Sequence, residues 1–248
     1  LKISIVTVVF NGAATIRQCI ESVLGQDYPF IEYIVIDGNS TDGTQEVVKS
    51  YGSRVQKFIS ESDSGIYDAM NKGIAAASGD VIGILNADDF YAYPSVLSDV
   101  AQVMSGNDYQ GCYGDLQYVD SVDESQIKRQ WISGSYKPGA FLNGWMPPHP
   151  TFFVRKDVYE RHGKFSLNLG SAADYELMLR LIHKAGIKIA YIPKVLVKMR
   201  IGGVSNSTLT NRLAANRNDL KAWKTNNLKP RFYTLWLKPL RKIFQFIG

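Results

Sequence analysis

The 248-residue chain has only two cysteines, Cys19 and Cys112, and no CxxC pair. That shortage excludes a disulfide framework and a thiolate zinc site, and the two thiols are expected to be small buried hydrophobes. Long apolar runs are missing too. None approaches the roughly 18 to 20 residues that span a bilayer, and Leu1-Lys2 leads straight into a strand pattern without signal-peptide character, so the chain reads as cytoplasmic. Internal repeats and low-complexity linkers are also absent, and the two halves are expected to share one core.

Acid is missing from one place in particular. Residues 220–248 hold seven Lys or Arg and no Asp or Glu; with a whole-chain net charge of +5, the other 219 residues carry −2. A nucleic-acid-binding face on the core is therefore not supported. The basic stretch is interleaved with Trp223, Phe232, Tyr233, Trp236, Phe244 and Phe246. Such a mixture reads either as a peripheral segment on the anionic inner face of the plasma membrane or as a solvated, partly ordered terminus.

What is present is a regular alternation. Ile3 to Val9 reads as a buried strand, Ile16 to Leu24 as a helix, Tyr33 to Ile36 as a strand, and Thr44 through Val48 as a helix. Val55 to Ser60, Ile66 to Ala77 and Val81 to Leu85 continue as strand, helix and strand, which predicts a doubly wound α/β layer. After Asp89 the rhythm changes. Pro94 to Met104 and Lys156 to His162 read as helices, with a further helix over Ala173 to Ala185. Strands are expected at Cys112 to Val119, Gln126 to Ile132, Thr151 to Val154, Ile187 to Tyr191 and Val195 to Met199. Between them the Gly- and Pro-rich stretch Gly134 to Pro150 forms a long loop of the kind that usually carries function.

Acids stand just past three of the apolar runs: Asp37, then Glu61 and Asp63, then Asp88 and Asp89. If those runs are parallel strands, their carboxyl ends lie side by side, where open α/β sheets bind ligands. Carboxylates crowded there raise one another's pKa or recruit a cation, and an oxygen-only cluster suits Mg²⁺ or Mn²⁺. The residues thus point to a metal-assisted site for a phosphorylated ligand.

Four segments in order resemble glycosyltransferase family 2, whose members are inverting enzymes with the GT-A fold. They are Ile5-Val6-Thr7-Val8-Val9-Phe10-Asn11, Val35 to Thr44, Glu61 to Gly73 running on to Asn86-Ala87-Asp88-Asp89, and Ala173-Asp174-Tyr175-Glu176-Leu177. The resemblance covers roughly residues 1–205. It implies a catalytic domain with a nucleotide-binding half (1–90) and an acceptor-binding half (91–205), followed by a helical basic and aromatic tail (206–248). The fold implied is a Rossmann-like, mostly parallel sheet with a mixed or antiparallel C-terminal extension.

The resemblance also assigns roles. Asp89 is implied as the direct ligand of Mn²⁺ or Mg²⁺, with Asp88 a second metal residue directed at the ribose or at metal-bound water. Asp37 is implied to accept from the base edge, with Thr7, Phe10 and Asn11 walling the same pocket. Asp63 is placed near base or ribose, and Glu61 is either a site residue or structural. Asp174 is implied as the general base that an inverting displacement needs; by position in the chain, Lys72 is either within reach of the donor phosphates or a solvated lysine, and His149, in the rigid loop Pro147 to Thr151, either touches acceptor or diphosphate or is structural. Arg200, ahead of Gly202-Gly203, is expected to close over the diphosphate as a lid.

The activity implied is transfer of one hexosyl unit from a nucleotide-sugar, with uridine diphosphate as the family's usual carrier. The acceptor is a glycan or lipid-linked saccharide of bacterial polysaccharide assembly. The chain lacks a Q-x-x-R-W motif, which favours single addition. Two departures stand out: Ala173 where many members have an acid, and Asn86 where a stricter DxD would begin with Asp. The alternatives are a sugar-1-phosphate nucleotidylyltransferase, although Phe10-Asn11-Gly12-Ala13-Ala14 lacks the expected GxGxRL segment, and a binding-only nucleotide-sugar module.

Overall fold

A strand buried on both faces is apolar at nearly every position rather than at alternate ones, and Ile3–Val9 meets that condition as β1, every residue of it buried. In the computed structural model, which describes residues 1–106, 108–202 and 209–243 (of the last segment, the side chains of 217–238 and 240), the first half alternates strictly. β1 is followed by α1 (Ile16–Leu24), β2 (Ile31–Asp37), α2 (Thr44–Lys49), β3 (Lys57–Ser60), α3 (Ile66–Ala76) and β4 (Val81–Asn86). These four strands are parallel, in the order β3-β2-β1-β4. Period-two alternation along β1 divides the core. Val6 and Val8 face α3, whereas Ile3, Ile5 and Val9 pack with Ile16, Cys19 and Ile20 of α1.

The second half comprises β5 (Asp89–Tyr91), α4 (Val96–Gly106), β6 (Gly111–Val119), β7 (Ile127–Trp131), β8 (Phe153–Arg155), α5 (Lys156–His162), α6 (Ala173–Met178) and β9 (Ile189–Arg200). α7 (Leu209–Thr225) and α8 (Thr234–Ile243) close it. Its strands extend the sheet as β4-β8-β6-β9-β5, with β7 on β6 and both parallel and antiparallel pairs. The expected architecture is therefore the one that forms: a parallel doubly wound half carrying a mixed extension.

Three local expectations change. The strands expected at 187–191 and 195–199 are one strand, because β6 pairs along the whole of β9 while the irregularity is absorbed between Tyr113/Tyr191 and Asp115/Val195. Pro193 falls in that irregular stretch, where no ladder hydrogen bond is asked of it. The helix over 173–185 changes to a π-helical turn at Leu179–Lys184. Asp89, expected past a strand end, begins β5, which pairs with β9 from Met199.

The chain's last helices are not a solvated tail. Ala222 and Trp223 are fully buried, Trp223 Nε1 donates to Tyr175 Oη at 2.9 Å, and Asn226 Nδ2 donates to Glu176 Oε1 at 2.9 Å, so α7 is docked on α6. α8 sits against the 140–144 segment, where Thr234 Oγ1 donates to the Leu142 carbonyl at 2.6 Å. Gly144 lies at φ +73, and a Cβ there would come within 2.5 Å of the Lys238 nitrogen. Phe244 and Phe246 lie outside the described residues.

At the amino ends of the strands a polar knot ties the sheet. Buried Glu32 accepts from Ser4 Oγ (2.6 Å), Ser78 N (2.7 Å) and Ser78 Oγ (2.7 Å), and Lys57 Nζ stands 3.1 Å away. Burial alone would raise its pKa, but those donors hold the carboxyl well below the usual glutamate range. Glu32→Ala is expected to cost about 3–5 kcal/mol by stranding its buried donors, and Glu32→Gln somewhat less. Because the folded-state pKa is depressed, this stabilisation is full above the unfolded value and fades as pH falls below it. Urea titrations at pH 7 and pH 4 should therefore show the gap between the native protein and Glu32→Gln shrinking at the lower pH.

Candidate active site

The sheet register brings the predicted acids to one rim. Asp37 pairs with Val9 on one side and Ser60 on the other, and Val8 pairs with Asn86, so the carboxyl ends of β3, β2, β1 and β4 stand in a row. Asp37 is fully buried there. Its Oδ2 accepts from Ser40 N (3.0 Å) and Ser60 Oγ (2.6 Å), while Oδ1 has no partner. A Cβ on Gly38 would lie 2.7 Å from Asp63 Oδ2 and 3.3 Å from the Phe10 ring. That closeness groups Asp37, Asp63 and the 67 % exposed Phe10 around one opening.

Asn11 and Asn39 both adopt positive φ, a conformation asparagine tolerates better than most residues. Asn11 joins the loops after β1 and β2: its N–H donates to Ser40 Oγ (2.7 Å) and its Oδ1 accepts from Thr41 N (3.0 Å). Thr7 is not part of this opening. It is fully buried on the α1 side, accepting from Tyr33 Oη at 3.1 Å with Cys19 Sγ at 3.6 Å, because its parity along β1 is that of Ile5 and Val9. Lys72 is likewise committed. Its ammonium lies 2.9 Å from both Glu61 Oε1 and the Ser62 carbonyl, so it pins the loop after β3 instead of standing free for phosphate.

At the end of β4 the two adjacent acids differ. Asp88 is half-buried, whereas Asp89 is fully buried, with Oδ2 accepting from Asn86 Nδ2 at 3.3 Å. Burial first, and then the neighbouring Asp88, push the Asp89 carboxyl well above its ordinary range. Asp89 Oδ1 and Asn86 Oδ1 have no partner. Asp88 is thus the more solvent-exposed acid of the pair, while Asp89 keeps a buried oxygen without a partner.

Arg200 is not a free lid residue. Its guanidinium donates to the Asp88 carbonyl (2.6 Å), Glu124 Oε1 (2.5 Å) and Gln18 Oε1, and Gln18 Nε2 in turn donates to Glu124 Oε2 at 2.6 Å. With 8 % exposure and the Phe90 ring 5.0 Å away, it fixes the turn that carries Asp88. Residues 203–205 of the expected lid loop lie outside the described residues.

Across the rim, Asp174 occupies the first turn of α6, where its Oδ1 accepts from Tyr175 N at 2.7 Å. His149 Nδ1 stands 3.9 Å from Asp174 Oδ2, too far for a hydrogen bond, and its Nε2 is buried without a partner. Burial lowers the His149 pKa against the opposing pull of Asp174 and Asp88. The two residues line a small recess whose other walls are Ile84, Phe152, Tyr159, Phe165, Leu177 and Met178.

Sequence reasoning missed Tyr67, Gln18 and Glu124. The Tyr67 phenol is pushed far up by burial and then by Asp174 beside it. Nothing local in the sequence marks these residues, because their partners lie far along the chain.

A divalent cation is tested by the unpartnered atoms. Among the described residues no three His, Cys, Asp or Glu form a ready-made cage. Mg²⁺-type ions, however, are commonly held by one or two carboxylates plus substrate phosphates. Half-buried Asp88, backed by the oxygens of Asn86 and Asp89, fits a cation that arrives with a diphosphate.

The model of "Glycosyl transferase family 2" matches residues 4–167. An uncharacterized glycosyltransferase of Mycobacterium tuberculosis is 32% identical over 180 residues, 72% of this chain and 68% of the relative. A PGL/p-HBAD biosynthesis glycosyltransferase of Mycobacterium bovis is 26% identical over 208 residues, 82% of this chain and 79% of its own length. Among solved structures, S. aureus TarS with UDP-GlcNAc superposes with a TM-score of 0.70 at 16% identity, covering 99% of this chain and 73% of TarS. The mannosyltransferase PcManGT of Pyrobaculum calidifontis, with GDP-Man and Mn²⁺, gives 0.67 at 17% identity, covering 96% and 72%.

Proposed function

The chain belongs to glycosyl transferase family 2, and from that premise we propose that it transfers one hexosyl unit, with inversion, from a uridine diphosphate sugar to a glycan or lipid-linked saccharide. One observation carries the reading: among the described residues, the buried side-chain polar atoms without partners, Asp37 Oδ1, Asn86 Oδ1, Asp89 Oδ1 and His149 Nε2, belong to residues at the strand ends and at the recess lined by His149 and Asp174. Buried polar atoms left unpaired are costly, and a nucleotide-sugar with its cation supplies the missing partners. Membership in a glycosyltransferase family sets aside both the nucleotidylyltransferase and the binding-only alternatives.

Asp37 Oδ1 accepts from the base edge, Phe10 covers the base, and Asp63 lies toward base or ribose. Asp88 would hold Mn²⁺ or Mg²⁺, and that ion would supply positive charge against the diphosphate as it departs. Asp174 takes the proton from the acceptor hydroxyl as its oxygen forms the new bond to the anomeric carbon. The bond from that carbon to the phosphate oxygen breaks on the opposite face. His149 offers its unpartnered Nε2 to the ligand. Asn11, Lys72 and Arg200 hold the loops in place, and Thr7 supports them from the core.

A thermal-shift panel of UDP, GDP and dTDP, each with Mn²⁺ or with EDTA, tests the reading. Stabilisation by UDP that disappears in EDTA is the expected result; at a ligand concentration 100 times Kd it corresponds to about 2.7 kcal/mol. A response to GDP alone reassigns the base. No response to any nucleotide overturns the proposal.

A further inference from the structure

The start of α8 carries an apolar stripe that no described residue covers. Phe232, just ahead of the helix, is 92% exposed, Trp236 72% and Leu240 50%. Their spacing of four residues sets Trp236 and Leu240 on one helical face, with Phe232 continuing the line. The opposite face is firmly seated. Thr234 is buried, Leu235 packs on the core, and Lys238 is held 2.7 Å from Asp219 with its ammonium 3.7 Å from the Tyr175 ring centroid. The stripe is therefore presented outward by a helix that cannot turn it in.

The surrounding charge is of one sign. Arg217, Lys221, Lys224, Lys229 and Arg231 are all exposed, and no ion pair among the described residues engages them. The only acid of 217–243, Asp219, is buried against Lys238. A second copy of this segment would meet it with like charge, and three side chains fall well short of the roughly 800 Å² per partner of a stable protein interface. Aromatic and aliphatic side chains flanked by cations suit the boundary between headgroups and acyl chains of an anionic bilayer.

We propose that the Phe232–Trp236–Leu240 stripe of α8, with the exposed cations of 217–231, docks this protein on an anionic phospholipid surface. The inference deepens the reading of a lipid-linked acceptor and rests on it for its purpose. α8 packs on the 140–144 segment that leads to His149, and α7 packs on the helix that carries Asp174. Docking through α8 therefore holds the acceptor side of the rim near the lipid surface.

Flotation of the full chain with phosphatidylcholine vesicles, with and without phosphatidylglycerol, provides the test. The expected result is partition onto the anionic vesicles alone, weakening as salt is raised. The double variant Phe232→Ser/Trp236→Ser should lower that partition at least about tenfold, and Lys224→Glu/Lys229→Glu should weaken it in the same direction. Both should keep the native circular dichroism spectrum and the UDP-dependent thermal shift. Equal partition by native chain and variants overturns the proposal, as does a concentration-dependent dimer that the Ser substitutions abolish. Loss of vesicle binding with the UDP shift intact leaves the transferase reading standing, so the two fail separately.

Discussion

Asp174→Asn is expected to lower kcat by about 10²–10⁴, the usual contribution of a positioned general base, while leaving the KM for the sugar nucleotide close to its native value. The substitution is nearly isosteric. Asparagine Oδ1 still accepts from Tyr175 N, so the bond that begins α6 survives. If Asp174 served only that helix start, its replacement by Asn would be almost silent, since the accepting oxygen is kept. Steady-state transfer, read as nucleoside diphosphate release that depends on acceptor, separates the two roles. A variant retaining more than about a tenth of native turnover would remove Asp174 from the mechanism.

The second large effect belongs to Asp88. Asp88→Ala should abolish the Mn²⁺-dependent part of UDP stabilisation and reduce transfer by about 10²–10³, as expected when stabilisation of developing charge is withdrawn. Being half-buried and on a turn held through its backbone carbonyl by Arg200, the Asp88 side chain can be removed without stranding that guanidinium. Isothermal titration of UDP with Mn²⁺ and with EDTA provides the measurement. Identical affinities for native protein and variant in Mn²⁺ would show that the cation is held elsewhere, with buried Asp89 the next residue to replace.

The parallel half of the fold was legible because β1, β2 and β4 are mostly apolar and buried and are closed by polar turn residues. β5 was not. It is three residues long, and its extended state comes from pairing with β9, more than a hundred residues away. Pro193 made β9 read as two strands, since a local pattern does not reveal that a partner absorbs an irregularity. At the site, Asp37, Asp63, Asp88 and Asp174 were visible as acids at strand ends or at a helix start. Their environments were not. Which of two adjacent acids is sealed depends on the packing of β5 and Arg200, and the ties on Lys72 and Arg200 come from Glu61, Glu124 and Gln18, whose side chains carry no motif.

The opposed rims of the parallel sheet have a consequence for how this scaffold can diverge. Around Glu32 the buried donors and acceptors are matched, whereas the far rim keeps buried polar atoms without partners. Robustness and appetite are thus lodged at opposite poles of the same strands. Descendants of this chain are free to redraft what they bind, loop by loop, without loosening the footing on which those loops stand.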